Sequence, residues 1–144
     1  MNKSAMICDK RLVEAGVPLR PRRGWPMLKL EVIAANAVKI TAPVKLKADD
    51  FITVAAQIDS LISQHGQIRL LIDASVFSGW GNAEAIKTHV GFVWSHQRKV
   101  ERIAIIAAHE WQHWLIAAVG IFVHPKMRAY DKGREVEALQ WIIE

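Results

Sequence analysis

Cysteine is almost absent. Cys8 stands alone, so no disulfide can close within the chain, and a reducing, cytoplasmic setting is the expectation. Long apolar runs are missing as well. The longest, Trp114 to Val123, covers ten residues, about half of the ~20 that a membrane-spanning helix needs. Charge interrupts residues 1 to 26 throughout, which leaves no secretory signal. There is no Gly-rich phosphate loop, no Ser-His-Asp spacing and no paired carboxylates around Asp73, which reads as a turn former at the end of a strand. No cofactor is expected, and the chain is not expected to be an enzyme.

What remains is an ordinary globular balance: 51% hydrophobic and 23% charged residues over 144 positions, enough for one domain. The net charge of +5 is unevenly placed. Residues 1 to 30 carry seven Lys/Arg against Asp9 and Glu14, while the acidic and basic residues beyond them balance. A neutral body offers no stripe that could track phosphates, so specific nucleic-acid binding is not expected. Arg20, Arg22 and Arg23 among Pro18, Pro21 and Pro26 read as a flexible basic tail over residues 1–26, ahead of a domain over 27–144.

Hydrophobic spacing divides the domain. Residues 28–34 and 37–44 cluster β-branched and aliphatic residues around Ala35-Asn36 and predict a hairpin. Phe51, Val54, Ala55, Ile58, Leu61 and Ile62 recur at helical spacing over 48–65, with Asp49 and Asp50 in the first turn and Gly66 as terminator. Strands are predicted at 67–73, 100–107 and 126–130, and helices at 83–97, 109–122 and 135–143. Strands alternating with helices after a hairpin make a mixed α/β sheet of four to five strands with about four helices.

His109-Glu110-Trp111-Gln112-His113 spells H-E-x-x-H, in which two histidines one turn apart hold zinc and the glutamate acts as general base. The extended form of the motif would need glycine and histidine where Ile116 and Val119 stand. Glu135 and His124 are the remaining third-ligand candidates. On a helical wheel Trp111, Leu115, Ala118 and Phe122, flanked by Trp114 and Val119, form the arc expected to pack on the sheet, with His109 and His113 turned toward water. A chance match is the preferred reading. A zinc hydrolase using His109, Glu110 and His113 is the alternative.

Four stretches, "KLKADDF" (45–51), "HGQIRLLIDASVFSGW" (65–80), "HQRKVERIAIIAAHEWQHW" (96–114) and "EALQWII" (137–143), resemble the SpoIIAA-like family, small bacterial proteins with a fold like the STAS domain of anti-sigma-factor antagonists. The resemblance covers Met27 to the C-terminus. It departs at Lys47, where the family often carries a threonine that caps the first helix. It implies a binding or regulatory module. STAS antagonists are switched by phosphorylation of a serine in the turn after a strand, and Ser78 in "DASVFSGW" is the matching candidate, placed to meet the N-terminus of the next helix. The full Asp-Ser-Ser-Gly signature is lacking, so a plain turn role for Ser78 is preferred.

Six tryptophans stand beside a single tyrosine. Trp80, Phe92 and Trp94, with His89 and His96 nearby, suggest either core packing or an apolar pocket with a polar rim for a small hydrophobic or lipid-like ligand. The fold similarity of the family to CRAL-TRIO lipid-binding domains encourages the second reading. On the 83–97 helix Ile86, Val90 and Val93 are expected to face the sheet, leaving Phe92 for a ligand, a neighbouring helix or a second copy of the chain in a homodimer. A protein partner is the other occupant considered.

Overall fold

The computed structural model describes residues 28–144. The expected tail, residues 1–26, lies outside the described residues. In chain order the elements are β1 (Lys29–Val32), β2 (Ala37–Thr41), β3 (Lys45–Leu46), α1 (Ala48–His65), β4 (Ile68–Asp73), β5 (Gly79–Trp80) and α2 (Ala83–His96). A 3-10 turn (Gln97–Lys99) leads to β6 (Val100–Ala107), α3 (Glu110–Gly120), β7 (Lys126–Asp131) and α4 (Glu135–Ile143). The main sheet has the order β1-β2-β4-β6-β7. Only β1 runs antiparallel to its neighbour, and every later pair is parallel. The expected mixed α/β sheet with an opening hairpin and four helices is what forms.

Two details differ from the sequence reading. The second hairpin strand stops at Thr41 rather than 44, and β3 pairs with β5 in a separate two-stranded parallel sheet, Lys45 opposite Gly79 and Leu46 opposite Trp80. Strands of two residues leave no periodicity to read.

Alternation along the strands sorts the core onto two faces. Ala37, Leu71, Ala104, Ile106 and Tyr130 point to one face, where α4 covers them with Ala138, Trp141 and Ile142. Val38, Ile40, Ile68, Leu70 and Val100 point to the other, against Val54 and Ile58 of α1 and the half-buried Phe92 of α2. α1 ends at Gly66, whose φ of +81° suits a residue without a side chain and whose N–H reaches the Ile62 carbonyl at 2.7 Å. Its N-terminus lacks the threonine cap, but Asp50 Oδ2 accepts from the Lys47 N–H at 2.8 Å.

The C-terminal end of α4 is fixed by arginines from the sheet. Arg69 donates to the Ile142 carbonyl and Arg102 to that of Trp141, each at 2.8 Å, which places cations where the helix dipole is negative. At its start Glu135 accepts from Lys39 Nζ at 2.6 Å, and the bond raises the lysine pKa.

The helix faces expected on α2 and α3 are corrected in part, since Val93 of α2 and Trp111, Leu115 and Val119 of α3 do face the space over the sheet. Ile86 and Val90 are exposed, at 44% and 62%, and the side of α2 turned inward carries the buried Ala85 with His89, Phe92 and His96. On α3, Trp114 and the following Phe122 are exposed at 74% and 78%, while Gln112 is buried. Both helices carry apolar side chains around most of their circumference. The partner groups available on the sheet and the 74–80 loop, rather than hydrophobicity, choose the face.

Candidate functional site

α2 and α3 do not close against each other over β4 and β6. Between them lies a cavity of about 250 Å³, floored by Ile72, Ile103 and Ile105 of the sheet. Phe51 and Val54 of α1 line it on one side, Phe77 and Trp80 at one end, and Leu115, Ile116 and Val119 of α3 on the other side. Ile103 and Ile105 alternate in β6 with Ala104 and Ile106, which belong to the opposite core. An aliphatic strand with two apolar faces gives no sign in the sequence of which one meets a void.

Trp80, His89, Phe92 and His96 all line this cavity. Trp94 does not. It is 68% exposed and lies outside the cavity lining, because the spacing of three and four residues that aligns His89, Phe92 and His96 inward leaves position 94 on another face of α2.

The aromatic groups form a linked set. Trp80 Nε1 donates to His89 Nδ1 at 3.0 Å, and the His89 ring stacks on Phe51 with centroids 5.1 Å apart. Phe92 stacks on His96 at 4.3 Å and meets Phe51 at 5.4 Å. Phe77 meets Trp80 edge-on at 5.2 Å. Burial pushes the His89 pKa down from 6.5 to about 4, so its ring is neutral at physiological pH. His96 is engaged on both nitrogens, with Asp59 Oδ1 at 2.7 Å from Nε2 and the Phe92 carbonyl 2.8 Å from Nδ1.

For the site, sequence reasoning did not single out Phe51 and Phe77, which join the aromatic set, nor Gln112. Gln112 Oε1 accepts from the N–H groups of Ala108 and His109 at 2.8 and 2.9 Å. Its Nε2 donates to the carbonyls of Ala74 and Phe77 at 2.8 and 3.3 Å. One side chain thus holds the start of α3 to the loop after β4. A polar residue inside an apolar helix is the only mark of it in the sequence.

The H-E-x-x-H stretch is not assembled as a zinc peptidase would need. His109 is the cap residue of α3, in extended backbone with φ −121° and ψ 146°. It therefore precedes the helix rather than sharing a turn-spaced face with His113. His113 Nε2 instead lies 3.1 Å from Asp131 Oδ1. Glu110 is exposed, Glu135 is paired with Lys39, and His124 uses its backbone N–H on Gln97. Among the described residues no three His, Cys, Asp or Glu side chains gather as metal ligands.

Ser78 is held in the loop between β4 and β5, in keeping with the turn role preferred for it. Its Oγ and N–H both donate to the Val44 carbonyl, at 3.0 and 2.8 Å. α2 begins only after β5, and its N-cap is already filled by Asn82, whose Oδ1 accepts from the Ala85 N–H at 2.9 Å. The intervening strand separates Ser78 from the helix N-terminus it was expected to meet. Asp73 Oδ1 accepts from the Ser75 N–H at 3.0 Å, a turn-forming bond.

No helix among the described residues is long and apolar enough to cross a membrane. No curated protein matches the sequence. Among solved structures, an uncharacterized protein with a SpoIIAA-like fold from Shewanella loihica superposes with a TM-score of 0.72 at 19% identity, over 85% of this chain and 99% of that one. The anti-sigma factor antagonist SpoIIAA in its unphosphorylated form gives 0.57 at 14% identity, over 78% and 97%. The phosphorylated form of the Bacillus cell fate determinant SpoIIAA gives 0.52 at 13%, over 78% and 98%. At these identities the likeness is one of fold. The family model described as SpoIIAA-like matches residues 37–143, the whole of the sheet from β2 onward with all four helices, and the chain belongs to the SpoIIAA-like family.

Proposed function

We propose that this protein is a non-enzymatic binding module whose α2–α3 cavity takes a small hydrophobic molecule. The observation that carries the reading is the cavity itself, about 250 Å³ with an almost wholly apolar lining. Apolar side chains that face an open cleft between two helices forgo the contacts that close packing gives a core, and an apolar molecule seated there supplies them. The polar side chains at the cavity wall are largely spent on one another or on backbone, which supports binding over chemistry. The zinc-hydrolase alternative has less support, since His109 stands outside the helix that carries His113.

The test is titration with N-phenyl-1-naphthylamine, an uncharged apolar dye, against the protein and a Leu115→Trp variant that fills the cavity from the α3 side. Saturable binding that weakens about tenfold or more in the variant, with no fall in melting temperature, is expected. Absence of saturable binding by the unmodified protein removes the reading.

A second reading, a protein partner or a second copy of the chain, is favoured by a separate observation. Ile86, Val90 and Trp94 make an exposed stripe on α2 at four-residue spacing, and Trp114, Ile121 and Phe122 are exposed on and after α3. Resemblance to an anti-sigma factor antagonist is in keeping with a protein partner. Sedimentation of the protein and of Trp94→Glu distinguishes the cases: a dimer that becomes a monomer assigns the stripe to self-association.

A further inference from the structure

Among the polar groups on the cavity wall, one donor stands inside the aromatic set with its tautomer fixed by a neighbour. Gln112 is saturated by its four bonds. Gln97 uses its Oε1 on the His124 N–H, and its amide nitrogen is a second donor on the wall, outside the aromatic set. His96 is held between Asp59 and the Phe92 carbonyl, so any charge on it is matched by a carboxylate. His89 is different. Trp80 Nε1 can only donate, so the 3.0 Å contact requires His89 Nδ1 to be the bare, accepting nitrogen. A neutral imidazole then carries its proton on Nε2. That N–H has no hydrogen-bond partner among the described residues, and His89 is not sealed away, since it lines the cavity. Among the described residues no Lys or Arg lines the cavity.

From this arrangement we infer that the cavity selects an uncharged apolar molecule bearing one hydrogen-bond acceptor, such as a ketone or ester carbonyl, which docks on the Nε2–H of His89. The inference rests on the reading of the cavity as a ligand site and names the chemistry of its occupant. Trp80 acts as a positioning residue: by occupying Nδ1 it fixes the tautomer and turns the donor to the ligand. The burial that keeps the His89 ring neutral works in the same direction, because an imidazolium would attract anions. A carboxylate head would enter a wall with no unmatched positive charge, at a desolvation cost that nothing there offsets.

The experiment compares 2-octanone, n-nonane and heptanoate, each of nine heavy atoms, at neutral pH with the full chain and with His89→Phe. The variant keeps a ring against Phe51 and removes both nitrogens. The expected result is that 2-octanone binds and that its affinity relative to nonane falls about fivefold in His89→Phe, the worth of one neutral hydrogen bond of about 1 kcal/mol. Heptanoate is expected to bind about a hundredfold more weakly than the ketone. An unchanged ketone-to-nonane ratio, or heptanoate binding as tightly as 2-octanone, overturns the inference while leaving the cavity as a binding site. Failure of all three probes removes the cavity reading itself. Should His89→Phe not fold, imidazole 15N shifts of the unmodified protein decide: Nε2 must carry the proton and must respond to 2-octanone. A proton on Nδ1, or an unresponsive Nε2, overturns the assignment.

Discussion

The side-chain amide of Gln112 donates to the carbonyl of Ala74 across 2.8 Å, joining the first turn of α3 to the loop that leaves β4. With its three other bonds, this makes Gln112 the attachment point of the cavity's outer wall. Gln112→Leu strands the Phe77 carbonyl and the N–H groups of Ala108 and His109, while the Ala74 carbonyl keeps the Phe77 N–H at 3.2 Å, and is expected to destabilise by about 3 kcal/mol. Trp114→Ala, two residues on but 74% exposed, is expected to stay within about 0.5 kcal/mol. Urea unfolding midpoints at constant m-value check both.

His89 gives the protein an acid-sensitive stability. Its pKa stands near 4 when folded against an ordinary 6.5. Below pH 6.5 the unfolded chain therefore takes up a proton that the folded chain refuses until about pH 4. Stability is complete above pH 6.5 and falls between 6.5 and 4 by about 1.4 kcal/mol per pH unit, to a total of about 3 kcal/mol. Denaturation midpoints across that window should show the slope, and His89→Phe should flatten it. An equal slope in the variant would trace the effect to other groups.

Phe92 touches both core clusters on the three-helix face as well as the cavity. Phe92→Ala is expected to cost about 3 kcal/mol, the low end for a buried phenylalanine because one side of the ring already borders a void. It should also weaken dye binding. Val90→Ala, on the exposed stripe, should do neither. If Val90→Ala is as damaging as Phe92→Ala, the assignment of the inward face of α2 fails.

For the H-E-x-x-H stretch, His113→Ala removes a half-exposed contact with Asp131 and is expected to cost no more than about 0.5 kcal/mol. Protein prepared without added metal should carry substoichiometric zinc, read by elemental analysis. Stoichiometric zinc that disappears in His113→Ala would restore the hydrolase alternative.

We propose that residues 1–26 are dispensable for folding, because both faces of the sheet are covered by elements within 28–144. A chain starting at Met27 should keep a single cooperative unfolding transition. A broad, noncooperative melt would show that the leading residues contribute to the core.

The element order was legible because each main element carries its own pattern: Phe51, Val54 and Ile58 at helical spacing mark α1, and the unbroken aliphatic run from Ile103 to Ala107 marks β6. Position within the cavity was partly legible, since Trp80, His89, Phe92 and His96 crowd a short stretch that carries one loop and one helix face. Orientation was not. α2 offers both the Ile86-Val90-Trp94 stripe and the Ala85-His89-Phe92-His96 stripe, and their difference lies in partners distant in sequence, such as Phe51 for His89 and Asp59 for His96. Gln112 was unreadable for the same reason, because its acceptors at Ala74 and Phe77 lie more than thirty residues away.

The single-helix cover on one face of the sheet bears on the order of synthesis. Ala37, Leu71, Ala104 and Tyr130 all leave the ribosome before Trp141 and Ile142, which bury them. The three-helix face can therefore consolidate while the opposite face is still open to water, and the same exposed strands are then available to other chains. The arginines at positions 69 and 102 remain without the Ile142 and Trp141 carbonyls until that helix arrives. A released chain that ends shortly after β7 should be compact on one side and sticky on the other, so it should bind chaperones more strongly than the chain that carries α4.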